Sequence, residues 1–529
     1  MVSPGRRIIG ARGAAAVLTC ALLASCTPGV GGDDVAVVIP EIVETAPPEV
    51  PEVVGGEADF TGDDDERFAE WYSQQVTWEP CENDLECATI FAPLNWADPA
   101  AGSIELALNK RSASGTKIGS LLTNPGGPGG SGVNFLRYAW SNFGLPVQQA
   151  YDLIGFDPRG VGRSTPVVCA DDAEKDEFIS ADFLRDEQGL AELAAANAAW
   201  GAACLENTGE LLANVDSISV ARDMDLIRAL VGDEHLNFLG FSYGTQLGAL
   251  YAGLFPDRVG RMVLDGGIDL ALNADQLSAG QAIGFESALR AYVEDCLGRS
   301  ACPLTGSVEQ ALAQITEIFE AALAGVISVR PDRTLTRTLA FHGLAMALYD
   351  QASWPFLTIA LRQVIQDGTG ELLLYLADFY NSRNADGTFD TNTTEAFIAV
   401  GCLDSRGTTD PAEMEANAIE ILNAAPTVGF FFTHSGLGCS DWPVPLVGWD
   451  SVDLAASSAP PILVVGTTGD PATPYEWSVA LANTLESGVL LTNVGEGHTA
   501  YLAAGNCVTN IVDAFLVDGV VPERGMVCS

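Results

Sequence analysis

Three residue types that could do acyl-transfer chemistry stand at usable spacing in this chain: a serine between glycines, a late histidine and an aspartate shortly before it. The serine is Ser242, in Gly240-Phe241-Ser242-Tyr243-Gly244, the only G-x-S-x-G present. An apolar run with strand character, Leu236 to Leu239, leads into it, and small and apolar residues at helical spacing follow through Leu250 and Leu254. Strand, tight turn and helix is the context of a nucleophile elbow. The strained turn lifts the hydroxyl above the sheet at a helix N-terminus, where the dipole favours developing negative charge. Gly is common here, at 55 of 529 residues, so the weight rests on that context and not on the five-residue pattern alone.

A nucleophilic serine needs a base, and the base an orienting acid. In a nucleophile-elbow fold the chain order is serine, acid, histidine. The chain has four histidines. His235 precedes the elbow strand, and His342 and His434 lie in a helical region far from any strand end. His498 follows a late strand, in Gly495-Glu496-Gly497-His498-Thr499-Ala500-Tyr501. The acid belongs at the end of the preceding strand, where Gly469-Asp470-Pro471 follows Ile462 to Val465. Asp470 is the expected acid and Asp265, in Asp265-Gly266-Gly267, its rival. For the oxyanion, the Tyr243 N–H is one expected donor. The second is expected from Asn124-Pro125-Gly126-Gly127-Pro128-Gly129-Gly130-Ser131-Gly132, with Gly127 ahead of Gly126. That loop also matches G-x-G-x-x-G at Gly127, Gly129 and Gly132. A dinucleotide site is disfavoured because Pro125 and Pro128 stiffen it and remove donors, so no nucleotide cofactor is expected. Asp157-Pro158-Arg159-Gly160-Val161-Gly162-Arg163-Ser164 is expected to be structural, an Asp–Arg pair bracing the neighbouring loop.

The elements that must carry these residues alternate. Strands are expected at 88–93, 103–110, 120–123, 151–156, 236–239 and 261–264, then at 461–466 and 488–492. Helices are expected at 133–140, 219–231, 475–485 and 508–516. Alternation implies a doubly wound, mostly parallel sheet. From about 268 to 455 the pattern turns helical, which suggests a helical cap inserted between two parts of one α/β domain, 67–267 and 456–529.

Composition bounds the partners. Lys+Arg 25 against Asp+Glu 70 gives a net charge of -45, a field that repels nucleic acid and anionic membrane surfaces. Arg6, Arg7 and Arg12, the apolar run Ala14 to Ala24 and then Leu23-Ala24-Ser25-Cys26 form an export signal over residues 1–25. Its ending resembles a bacterial lipobox, which implies lipidation of Cys26 and a membrane anchor; a plain secretory signal is the alternative. Residues 27–66 carry twelve acids and no Lys or Arg, the composition of a disordered tether. Ten of the 12 cysteines remain beyond Cys26. An even set in an exported chain suggests disulfides, most simply between sequence neighbours. With four histidines and no C-x-x-C, no metal site is expected.

Taken together, N-P-G-G-P-G-G-S-G at 124–132, D-P-R-G-V-G-R-S at 157–164, G-F-S-Y-G-T at 240–245, G-D-P-A-T-P at 469–474 and G-E-G-H at 495–498 resemble the tripeptidyl-aminopeptidase-like branch of the proline iminopeptidase family of α/β-hydrolases. The resemblance spans about Arg67 to Ser529. It implies an α/β-hydrolase fold with an inserted helical cap and an exported serine exopeptidase or carboxylesterase, with peptides bearing free N-termini as substrates. It also implies a triad of Ser242, Asp470 and His498, with Thr473 tuning the acid. The family's usual H-G-G-P-G is replaced by Asn124-Pro125 ahead of the glycines, as in this branch. A free ammonium needs carboxylates, and Ala399-Val400-Gly401-Cys402-Leu403-Asp404 resembles a stretch shared by the branch. Asp404 is therefore the expected amine anchor and Glu395 a weaker one. A non-catalytic surface lipoprotein that binds peptides is the alternative outside enzymes.

Overall fold

The computed structural model describes residues 66–503 and 505–529. The expected signal segment, Cys26 and all but the last residue of the acidic tether lie outside the described residues.

Among the described residues, ten strands form one sheet in the order β1-β2-β3-β5-β4-β6-β7-β8-β9-β10. They are β1 (Glu79–Pro80), β2 (Glu86–Pro93), β3 (Ser103–Arg111), β4 (Gly119–Asn124), β5 (Tyr151–Phe156), β6 (Leu236–Phe241), β7 (Val259–Asp265), β8 (Ile462–Gly469), β9 (Gly488–Glu496) and β10 (Met526–Cys528). Neighbours from β1 to β5 pair antiparallel, and from β5 through β10 every pairing is parallel. Parallel strands must be covered on both faces, and β4, β6 and the first six residues of β8 read as nearly continuous buried runs for that reason. The chain is an α/β-hydrolase fold. Every expected strand and helix is present within a few residues. The short edge strands β1 and β10 were not expected, because two or three residues at a sheet edge carry no period.

Between β7 and β8 the chain is helical, with helices Ala274–Leu297, Val308–Leu323, Arg337–Leu348, Trp354–Arg362, Glu371–Tyr380, Thr393–Asp404 and Pro411–Ala424. A separate apolar core forms among most of them, around Phe285, Leu289, Phe319, Leu344 and Leu357. Two features cross the expected boundaries. Ile179, from the polar stretch after β5, packs into this cap core, and the Asp182 carboxylate accepts from the Arg337 and Thr338 N–H groups. Conversely, Ala399, Val400, Cys402 and Leu403 belong to the sheet's own core. Helix Thr393–Asp404 is thus rooted in the α/β domain.

Five disulfides join sequence neighbours as expected: Cys81–Cys87, Cys169–Cys204, Cys296–Cys302, Cys402–Cys439 and Cys507–Cys528. No helix among the described residues is long and apolar enough to cross a membrane.

Candidate active site

Ser242 sits between β6 and helix Tyr243–Leu254 with φ 54° and ψ -122°, a left-handed conformation that a side chain adopts only when its surroundings impose it. Its N–H donates to the Asp265 carbonyl at 2.9 Å. The flanking glycines are required by close approach: a Cβ on Gly240 would lie 2.3 Å from the Gly244 carbonyl oxygen, and one on Gly244 2.9 Å from that of Asn124.

The loop after β4 closes over this turn. Gly126 has φ 98°, and a Cβ there would lie 2.8 Å from the Ser242 Cβ. The Gly126 N–H is already given to Asn124 Oδ1 at 2.9 Å. The N–H groups of Gly127 and Tyr243 hold no acceptor among the described residues, which leaves both of these expected donors unengaged. Asn124 thus orients the loop by holding its neighbour's N–H.

His498 Nδ1 faces Asp470 Oδ1 at 2.8 Å and Oδ2 at 2.9 Å. The carboxylate is fixed in turn by the N–H groups of Ala472, Thr473 and Thr499. Thr473 Oγ1 donates to Asp470 Oδ2 at 3.1 Å and lies 3.4 Å from His498 Nδ1. With Nδ1 committed to the acid, the imidazole's other nitrogen is the one available to a hydroxyl. Burial lowers the affinity of His498 for a proton, but the charge and hydrogen bond of Asp470 outweigh it, and the net effect is a raised pKa.

Asp265, the rival acid, does a different job. Its carboxylate accepts the N–H groups of Ala500 and Tyr501, at 2.8 to 3.0 Å, while its carbonyl holds the Ser242 N–H. One residue at the end of β7 therefore ties the serine's turn to the histidine's loop. Fully buried, its carboxyl is pushed up to about 6, tempered by those backbone donors. From the cap, the Tyr349 carbonyl accepts the His498 N–H at 2.8 Å, and the two rings meet edge to face at 5.3 Å. Nothing in the local sequence marks Tyr349, because the contact joins residues far apart in the chain.

Three expectations need correction. Asp404 is not free to take an ammonium: Oδ1 accepts from Ser217 N–H, and Oδ2 from Ser217 Oγ and Gln246 Nε2. Glu395 is buried with its Oε1 2.6 Å from Lys175 Nζ, so a substrate amine would have to displace a lysine. Asp157 and Arg159 do not pair with each other. Asp157 accepts from Ser131 Oγ, Val133 N–H and Arg163 N–H, whereas Arg159 forms a fully buried bidentate pair with Asp223. Both still brace structure, as expected of that stretch.

Three curated relatives are similar to this chain in sequence. Serine protease Hip1 of Mycobacterium tuberculosis is 35% identical over 507 residues, which cover 90% of this chain and 94% of that protein. Carboxylesterase B of the same organism is 34% identical over 472 residues, 86% of this chain and 90% of the relative. Tripeptidyl aminopeptidase of Streptomyces lividans is 30% identical over 481 residues, 86% of each. Residues 425–528 match the family described as TAP-like protein. The chain belongs to the tripeptidyl-aminopeptidase-like family of α/β-hydrolases. It is a serine hydrolase, and as a TAP-like hydrolase it carries the elbow, the histidine loop and the acid at the ends of β6, β9 and β8, on the carboxyl side of a parallel sheet where such sites form.

Proposed function

We propose that this TAP-like hydrolase is an exported serine exopeptidase that removes short peptides, tripeptides foremost, from free N-termini through an acyl-enzyme. Ser242 attacks the scissile carbonyl while His498 takes its proton and then delivers it to the departing amine. Asp470 holds the imidazole in the required tautomer, and Thr473 fixes Asp470. The N–H groups of Tyr243 and Gly127 receive the oxyanion. The observation that carries the reading is the double Asp470–His498 contact on a loop tied through Asp265 to the strained Ser242 turn. Peptides as substrates are favoured by the relatives named serine protease and tripeptidyl aminopeptidase. The relative named carboxylesterase B supports an esterase with the same residues as the second reading.

Export and a lipid anchor at Cys26 belong to the same proposal. The Leu23-Ala24-Ser25-Cys26 ending supports them, as does the pairing of all ten described cysteines, since such disulfides persist in oxidising compartments.

The test compares a free tripeptide with a fluorogenic leaving group against its N-acetylated form, with Ser242→Ala as control. An aminopeptidase loses most of its kcat/KM on acetylation, and the alanine variant falls by about 10³-fold or more. Equal rates on both substrates would move the assignment to the esterase. An unaffected Ser242→Ala would remove the serine mechanism.

A further inference from the structure

Helix Thr393–Asp404 touches both sides of the oxyanion site, one with each end. At its start, Thr393 Oγ1 donates to the Gly129 carbonyl at 3.2 Å, and a Cβ on Gly129 would lie 2.8 Å from the Thr393 carbonyl oxygen. The residue before it, Asn392, accepts from Gly162 N–H and donates to the Gly160 and Val167 carbonyls. That stretch is joined through Asp157 to Ser131 and Val133 at the end of the oxyanion loop. The Lys175–Glu395 pair, buried at 5% and 2% exposure, pins the same end of the helix.

At the helix's other end, Asp404 accepts the Ser217 hydroxyl at 2.5 Å, the Ser217 N–H at 2.9 Å and Gln246 Nε2 at 2.9 Å. Ser217 has one hydroxyl proton, and Asp404 takes it. With Asp404 ionised, Ser217 Oγ is left to accept from the Tyr243 hydroxyl, 2.6 Å away, as it does from Gln246 Nε2 at 3.0 Å. The Tyr243 side chain is thus held by a chain of hydrogen bonds that ends on Asp404, all three residues being buried.

We propose that helix Thr393–Asp404 is the strut that sets the spacing of the two oxyanion donors, and that Asp404 is a positioning residue acting through Ser217 on Tyr243. This rests on Tyr243 and Gly127 being the donors, as proposed above. The physical demand is real: a hydrogen bond to a developing oxyanion acts over a few tenths of an ångström, and a misplacement of about 1 Å can cost 10²-fold. One helix thus meets the loop that carries Gly127, at Gly129, and reaches the Tyr243 side chain through Ser217, so that it links the backbone segments of both donors.

The experiment measures kcat and KM for Asp404→Ala, Ser217→Ala and the double variant. The substrates are a free tripeptide anilide and p-nitrophenyl acetate, which has no amine. The burst of p-nitrophenol counts active sites, so that partly unfolded protein is corrected for. The expected result is a kcat per active site lower by about tenfold to a hundredfold on both substrates, with KM changed less than about threefold. The double variant should be no worse than Asp404→Ala alone, because the two residues act in one chain. Asp404→Asn keeps an acceptor for the Ser217 N–H but turns a donor toward Gln246 or Ser217, and should fall in between. A rise in KM confined to the free tripeptide, with the ester untouched, would overturn the proposal and restore Asp404 as an amine anchor. An unchanged kcat per active site with only a lower melting temperature would reduce it to a plain structural residue. If Asp404→Ala does not fold, Ser217→Ala breaks the same chain and gives the same readout. The Ser242→Ala control separates these outcomes from failure of the serine mechanism itself.

Discussion

His498 carries two opposing influences, burial that disfavours the imidazolium and Asp470 that favours it, and Asp470 wins. The sign of the consequence is definite. A general base works as the neutral imidazole, so activity is present above the raised pKa and lost as pH falls through it. The acid limb of kcat/KM is expected above the ordinary histidine value of about 6.5. In Asp470→Asn it should move to lower pH, with kcat reduced by ~10³- to 10⁴-fold. A pH–rate profile of the two proteins checks this, and an acid limb in the wild type below that ordinary value would contradict it. The residue types and order of serine, aspartate and histidine were legible in the sequence because each sits beside a strand end that its own neighbours announce. Choosing Asp470 over Asp265 was also possible there, by the order of elements. The actual task of Asp265 was not, since it consists of contacts with residues more than 230 positions later.

Elements matter here through what they tie together. β7 ends in Asp265, which holds the Ser242 turn by its carbonyl and the loop after His498 by its carboxylate. In Asp265→Asn the amide oxygen can take the Oδ2 place, which accepts both the Ala500 and Tyr501 N–H groups, but the new NH2 then stands in the Oδ1 place, donor against donor with the Ala500 N–H, buried and without an acceptor. A buried unsatisfied group costs about 1–3 kcal/mol, so the melting temperature should fall. The histidine loop should also loosen, lowering kcat by about tenfold or more while KM changes little. Thermal denaturation and steady-state kinetics check both parts; wild-type kcat in this variant would show that the loop is held elsewhere. The helical insertion was visible as a loss of strand–helix alternation after β7. Its boundaries were less visible. Ile179 enters the cap core from before the elbow, and Leu403 enters the sheet core from within the insertion. Apolar periodicity shows that a face is buried but does not name the partner that buries it.

For the whole molecule, the dominant physical quantity is charge. A net charge of -45 makes a field that draws cationic peptides and repels anionic ones, at range set by the Debye length, about 10 Å at 0.1 M salt. Such a field changes association rates more than bound-state specificity. At low ionic strength kcat/KM is expected to favour lysine-containing over glutamate-containing substrates of equal length. That preference should shrink as sodium chloride rises from about 0.01 to 0.5 M, with kcat unchanged. A preference independent of salt would place the discrimination in a contact inside the cleft.

The sequence by itself determined the chemistry on offer: a serine on a glycine-flanked turn, one histidine in a late loop, an aspartate one strand earlier, and a doubly wound sheet to carry them. These follow from local chemistry, because turns, strand ends and apolar runs are written in adjacent residues. For the cysteines it offered neighbour pairing only as the simplest scheme, and the fold decided it by bringing those five pairs together. Only the tertiary structure decided what each acid is for. Asp404, Glu395, Asp265, Asp157 and Asp223 are all buried carboxylates, and a buried carboxylate is defined by the donors that reach it. Ser217, Lys175, Tyr501, Ser131 and Arg159 supply those donors, and each arrives from a distant element through the fold.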